Sequence, residues 1–72
     1  MMPPPDKLWR GVITLLKPVC SPYANFAAGY TFRSKLTTQG MARRWVEDEM
    51  HDLVEMLQMS EDSFQGYVEE VL

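Results

Sequence analysis

Cys20 is the only cysteine in this chain of 72 residues. A lone cysteine cannot close a disulfide bond within the chain, and it cannot supply the several thiolates of a structural zinc site. A domain this short buries only about 60% of the surface that its unfolded chain exposes, so small scaffolds usually need a staple or a partner. The sequence therefore predicts a small apolar core whose further support comes from partner binding or self-association.

Side chains suited to catalysis are few. Cys20 could act as a nucleophile only if His51, the one histidine, served as its base, and no sequence signature joins the two. The chain has no glycine-rich phosphate loop and no paired-carboxylate signature. We therefore expect no enzyme activity and no catalytic residue, and we interpret Cys20 as a half-buried structural thiol.

One spacing resembles a metal site. Glu47, His51 and Glu55 lie four residues apart, which places them along one side of a helix. Acid-rich helices produce such triplets by chance, and His51 falls among polar residues. We favour a solvent-exposed helix face, so we expect neither a metal ion nor another cofactor.

Charge is divided sharply along the chain. Residues 1–44 hold all seven lysines and arginines and a single acidic residue, whereas residues 45–72 hold nine acidic residues and no basic one. The two parts therefore carry charges of +6 and −9 in a chain of net charge −3. We favour ion pairing between the two parts within the molecule, and electrostatic steering of a charged partner is the alternative.

The clearest secondary-structure signal is an amphipathic helix from about Gln39 to Met59, with Thr37 or Thr38 as its N-cap and Ser60 at its end. A four-three-four repeat of apolar residues, extended by two more, marks the side that faces the core: Val46, Met50, Leu53, Leu57, Ala42 and Val54. The repeat is too short for a coiled coil, so it predicts a helix that packs inside a small domain.

Three further segments fit shorter helices: residues 6–17, 22–30 and 60–72. The tight turn at Ser60 would make the last two helices an antiparallel hairpin. The predicted fold class is therefore all-α, a small bundle of three to four short helices that ends in a long helix and a short C-terminal helix. Residues 1–5 are expected to be a disordered N-terminal tail, and residues 6–72 a single helical domain.

A β-structure is the alternative for the first half of the chain. Residues 12–16 also suit a short strand, since Gly11 weakens a helix by roughly 1 kcal/mol relative to alanine. Residues 31–37 are the least determined, and a strand through residues 30–32 is the alternative there. A β-hairpin near residues 12–33 therefore stays open beside the helical interpretation.

The long helix carries more apolar residues than one core needs. Methionine and tryptophan form a second stripe, and together the two stripes span roughly 220° rather than the usual 100° or so. Two acidic residues interrupt the second stripe, as charges rim a binding surface more often than a core. The first two helices would cover the stripe in the alternative arrangement. We predict instead a protein-binding site formed by Met41, Trp45, Glu49, Asp52, Met56 and Met59.

Four basic residues form a cluster in the sequence close to two aromatic residues: Arg33, Lys35, Arg43 and Arg44. Phosphate contacts beside aromatic rings are typical of nucleic-acid binding. The nine acidic residues that follow would repel a phosphate backbone, so we do not expect nucleic acid as the main partner. We assign the cluster to electrostatic steering of a protein partner and keep a nucleic-acid-associated regulator that uses residues 33–44 as the alternative function.

These features predict a non-enzymatic protein–protein interaction module. It would be a small inhibitor or adaptor, or an accessory subunit, that docks on a larger protein or complex through the methionine and tryptophan face of the long helix. Self-association is a further option. No apolar run is long enough for a membrane span or a secretory signal, and a single cysteine fits a cytoplasmic or other reducing compartment.

Overall fold

The computed structural model of the protein describes residues 7–20, 22 and 25–71. Within them the chain forms one long helix, one 3₁₀ turn and strands in two antiparallel sheets. In chain order the elements are β1 (Leu8–Leu15), β2 (Val19–Cys20), β3 (Asn25–Phe26), β4 (Thr31–Arg33), α1 (Gln39–Leu57), the 3₁₀ turn Glu61–Ser63 and β5 (Phe64–Val71). The predicted all-α fold, and the helical bundle with it, is therefore wrong: the protein has a mixed α/β fold.

β1 is the central strand of a three-stranded sheet in the order β4, β1, β5. It pairs antiparallel with β4 over residues 12–14 and antiparallel with β5 over its whole length. The pairing with β5 joins the beginning of the described chain to its end. A separate two-stranded pairing connects β2 and β3.

β1 occupies the segment for which the sequence predicted a helix over residues 6–17, and this prediction is wrong. Ile13 and Leu15 are buried on the face that α1 covers, and Val12, on the other face, is buried between Arg33 and Tyr67 of the flanking strands. A strand that is buried on both faces lacks the alternation of apolar and polar residues, so its apolar run fits a helical wheel equally well. The alternative hairpin near residues 12–33 agrees with the observed pairing of β1 with β4.

α1 lies across β1 and β5 on one face of the sheet. Gly11 of β1 and Gly66 of β5 lie beneath it: a Cβ atom built on Gly11 would lie 2.6 Å from the Trp45 ring, and one on Gly66 would lie 2.6 Å from Met50 Sδ. Both distances are well short of van der Waals contact. The two glycines therefore let the helix approach the sheet more closely than any larger residue would.

The prediction of α1 and of its core-facing repeat is confirmed. Thr38 is the N-cap, Ala42 and Val46 are buried, and the other members of the repeat pack against the core. The buried core cluster consists of Ile13, Leu15, Val19, Val46 and Phe64. The helix ends at the residue before Gln58, which adopts a left-handed conformation with φ 52°, so it is two residues shorter than predicted.

The predicted helix over residues 22–30 is also wrong. The described residues of this region form the β2–β3 pairing and a turn in which Gly29 has a φ of +90°. Phe26, Tyr30 and Phe32 form a cluster with ring centroids 4.7 to 5.4 Å apart. Aromatic residues pack well on a pleated surface, which outweighs the weak helical pattern of this segment.

β5 replaces the predicted C-terminal helix, so the predicted antiparallel helical hairpin is wrong too. Phe64, Tyr67, Val68 and Val71 share one side of a helical wheel. In the strand they alternate: Phe64 and Val68 face α1, whereas Tyr67 and Val71 face the other side of the sheet. Pairing with the whole of β1 decides the conformation, because strand preference depends on the neighbours more than on the local sequence.

Residues 1–6 lie outside the described residues, and with them the predicted tail over residues 1–5. The division of the chain into that tail and one domain over residues 6–72 stays a prediction. Among the helices that the structure describes, none is both long enough and apolar enough to cross a membrane.

Candidate protein-binding groove

Segment 34–37 joins β4 to α1 and is fixed to β1 at both ends. At one end the Ser34 amide donates to the Gly11 carbonyl oxygen at 2.9 Å, and the Gly11 amide donates to Ser34 Oγ at 2.8 Å. At the other end Trp9 and Thr37 exchange two backbone hydrogen bonds of 2.7 and 2.8 Å. Hydrogen bonds to β1 therefore fix both ends of the segment, although the segment lies outside β4.

Lys35 and Leu36, between the two anchors, stand opposite the single residue Arg10 of β1. Two residues opposite one form a β-bulge, which bends the edge of the sheet. The chain then enters α1, where Thr38 Oγ1 accepts a hydrogen bond from the Met41 amide at 3.3 Å. The bulge and the cap together fix the first turn of α1 relative to the sheet.

A groove lies between segment 34–37 and the N-terminal half of α1. Its volume is about 310 Å³, and its mostly apolar lining consists of Ser34, Lys35, Thr37, Met41 and Trp45. The half-buried Trp45 forms the floor, because its ring packs over Gly11. Met41 forms one wall and exposes 59% of its surface.

The structure divides the apolar part of the predicted protein-binding site. Met41 and Trp45 lie together in the groove. Met56 lies further along α1 and exposes 76% of its surface. Met59 packs against the core, because the chain leaves the helix at Gln58 and no longer continues the stripe.

The two acidic residues of the predicted site differ in exposure. Glu49 is half-buried and Asp52 is exposed. They follow Trp45 by about one and two helical turns, and the lining of the groove includes neither of them. Both therefore belong to the acidic middle of α1 rather than to the groove.

The predicted basic cluster is spread over three parts of the molecule. Lys35 lines the groove. Arg33 is in register with Val12, so it lies on the sheet face away from α1. Arg43 and Arg44 are exposed on α1. The structure thus places one of the four basic residues in the groove and distributes the others over two faces.

The opposite charges of the two parts of the chain are paired across the sheet. Arg10 donates from Nε and Nη2 to Oε1 of Glu69 on β5, and the Nε distance is 2.9 Å. Lys7 Nζ lies 3.9 Å from Glu70 Oε2. The predicted ion pairing within the molecule is therefore confirmed for these two basic residues.

The residues that were considered for catalysis and metal binding lie on the surface. Cys20 is exposed, so its interpretation as a half-buried thiol is wrong. His51 and Glu55 are also exposed, and His51 Nε2 lies 3.6 Å from Glu55 Oε1. In the part of the chain that the structure describes, no three histidine, cysteine, aspartate or glutamate side chains form a group that could hold a metal ion.

Sequence reasoning missed three residues that build the groove: Ser34, Thr37 and Gly11. Ser34 acts through a hydrogen bond to a residue 23 positions away, and no local pattern reveals such a bond. Gly11 did carry a signal, because a glycine inside an apolar run often marks the close approach of another element. In the sequence, Gly11 only weakens the prediction of a helix over residues 6–17.

The groove offers apolar contact area beside a cationic group. Methionine and tryptophan supply large surfaces, of which methionine is the more adaptable, and the Lys35 ammonium can pair with an acidic group on a bound chain. No protein-family model, no curated protein and no solved structure matches this protein. Its function is therefore inferred from the groove and the charges around it.

Proposed function

We propose that the protein is a non-enzymatic protein-binding module whose groove between segment 34–37 and α1 takes an apolar side chain of a larger protein. The observation that carries this proposal is the exposed Met41 beside the half-buried Trp45 in a cavity of about 310 Å³. Because most of its surface is exposed, Met41 contributes little to folding. In a complex the same surface would be buried, and apolar burial is the main favourable term in protein association.

The basic residues around the groove indicate which kind of partner segment it would bind. Lys35 lines the groove, and Arg43 and Arg44 are exposed near the same end of α1. Exposed basic groups increase the rate of association with an acidic surface. A partner segment with an apolar anchor residue next to an acidic residue therefore fits this groove, and the protein would serve as a small inhibitor, adaptor or accessory subunit.

Two matched substitutions test the proposal. Met41→Asp places a carboxylate in the groove, and Met56→Asp places one on the same helix outside it; both methionines are exposed, so neither change should unfold the protein. Tagged wild-type protein and both variants are incubated with extracts of the source cells, and the recovered proteins are quantified. We expect one protein to be recovered with the wild type and with Met56→Asp.

We expect Met41→Asp to reduce that recovery at least about tenfold, or ~1.4 kcal/mol of binding free energy, since the carboxylate replaces apolar contact area and repels the acidic residue of the partner segment. Equal recovery with all three proteins would show that the groove is not the contact surface. Loss of recovery with Met56→Asp alone would move the contact surface to the second half of α1.

A further inference from the structure

β5 forms an edge of the sheet for all eight of its residues. The hydrogen bond from the Leu16 amide to the Ser63 carbonyl oxygen, 2.8 Å long, fixes the phase of the pairing with β1. In an antiparallel pair only every second residue bonds to the partner strand, so the residues between them direct their N–H and C=O groups away from it. Four residues of β5 therefore present their backbone groups outward: Phe64, Gly66, Val68 and Glu70.

This edge is less protected than the opposite one. β4 is only three residues long and is followed by the bulge in segment 34–37. β5 is more than twice as long and contains neither proline nor lysine, the residues that most often block an edge strand. Among the described residues, no strand lies beyond it. A long edge of this kind is a template for an added strand.

A cavity of about 340 Å³ lies beside this edge, on the face of the sheet that α1 covers. Met50 and Val54 supply its apolar lining, and Met50 packs over Gly66 of β5. Glu47 and Glu61 also line it, together with His51. The cavity therefore combines apolar surface with two carboxylates, and Met50 connects it to β5.

We propose that the outer edge of β5 binds an extended segment of a partner protein as a further antiparallel strand, and that the side chains of this segment that face α1 are alternately apolar and basic. Its backbone would bond to the four outward residues of β5. Every second side chain would face α1, so an apolar one would enter the cavity over Met50 and the next, two residues on, would reach Glu47 or Glu61. This surface is separate from the groove at Met41.

The carboxylates decide which occupant fits. A second copy of this chain paired at β5 would bring two sets of Glu47 and Glu61 close together, and like charges repel at such an interface. A basic segment would instead neutralise them. The edge supplies affinity through backbone hydrogen bonds, and the carboxylates supply the preference for a basic partner.

Two synthetic peptides of eight residues test the proposal. In the first peptide every other residue is threonine, and the positions between are occupied in turn by valine and lysine. In the second peptide glutamate replaces lysine. Titration into the 72-residue protein is followed by amide NMR shifts and by hydrogen exchange. We expect the lysine peptide to bind at least tenfold more tightly, and to slow the exchange of the outward Gly66 and Val68 amides.

Two variants separate the edge from the charges. Val68→Pro removes an outward N–H that β1 does not use, and it should weaken binding of the lysine peptide at least tenfold. Since proline could also disturb packing against α1, the double variant Glu47→Lys, Glu61→Lys provides a second test: it changes exposed side chains only, and it should reverse the preference between the two peptides.

Three results would overturn the proposal. The two peptides could bind equally well, or the shifts could map to Met41 and Trp45 rather than to β5. Sedimentation could also show a dimer of the wild type that Val68→Pro converts to a monomer, which would make a second copy the occupant of the edge. Slowed exchange at the outward amides, together with a reversed preference between the two peptides in the double variant, would support it.

Discussion

Trp45 rests on Gly11 where β1 passes beneath α1. A Cβ atom at position 11 would lie 2.6 Å from the Trp45 ring and 2.9 Å from the Ala42 carbonyl oxygen. The ring could turn aside, but the carbonyl belongs to the helix backbone, so helix and sheet would have to separate to admit a methyl group. The floor of the groove therefore depends on the absence of a side chain at residue 11.

We expect Gly11→Ala to lower the free energy of unfolding by about 1–3 kcal/mol, the usual cost of overpacking a core. Gly40→Ala is the matched control, because a Cβ atom there meets nothing within 4 Å and alanine favours a helix over glycine by up to about 1 kcal/mol. Urea unfolding followed by circular dichroism measures both changes. If Gly11→Ala were as stable as the wild type, α1 would not lie this close to β1.

At the scale of the elements, α1 could be predicted from the sequence because its signals are local. The Thr38 cap and the apolar repeat lie within one continuous segment. β1 and β5 could not be predicted in the same way, because their conformation depends on pairing between residues as distant as Leu8 and Val71. Local apolar spacing in both segments also satisfies a helical wheel, and nothing within either segment reveals the partner strand.

The same difference between local and distant signals applies to the candidate site. Met41 and Trp45 could be identified because both lie on the helix that the sequence predicts, and their excess over the core repeat is visible there. The opposite wall of the groove could not be identified, because Ser34 and Thr37 are placed by hydrogen bonds to β1. The cavity beside β5 depends on a strand that the sequence did not predict.

Thr38 determines where α1 begins, and its side chain accepts one of the otherwise unpaired amides of the first turn. We expect Thr38→Ala to reduce the free energy of unfolding by about 0.5–2 kcal/mol and to loosen the first turn beside the groove. Gln39→Ala, at the next and also exposed position, should change stability by less than about 0.5 kcal/mol. Similar stabilities of the two variants in thermal unfolding would argue against the cap.

At the scale of the molecule, α1 divides one face of the sheet into two flanks of unlike charge. The flank towards β4 contains the groove with Lys35, and the flank towards β5 contains the cavity with Glu47 and Glu61. The described chain measures 51 by 19 by 19 Å, so most residues lie near the surface. Under the two proposals the protein would contact an acidic-apolar segment on one flank and a basic strand on the other, as an adaptor does.

The charge division of the sequence also supports the sheet itself. We expect a double-mutant cycle on Arg10 and Glu69, with alanine at each, to give a coupling of about 0.5–1 kcal/mol that declines as salt is added, since the pair is partly exposed. The same cycle on Lys7 and Glu70, which are 3.9 Å apart, should give a smaller coupling. Equal couplings would mean that the geometry of the Arg10 pair is not maintained in solution.

We expect the groove at Met41 to contact another protein in the source cells. Site-specific photo-crosslinking tests it most directly: a photoreactive amino acid replaces Met41 in one variant and Met56 in another, and the source cells are irradiated. Both positions are exposed on α1, so both variants should fold. We predict a discrete crosslinked product from position 41 and none from position 56. A product from position 56 alone, or from neither position, would contradict it.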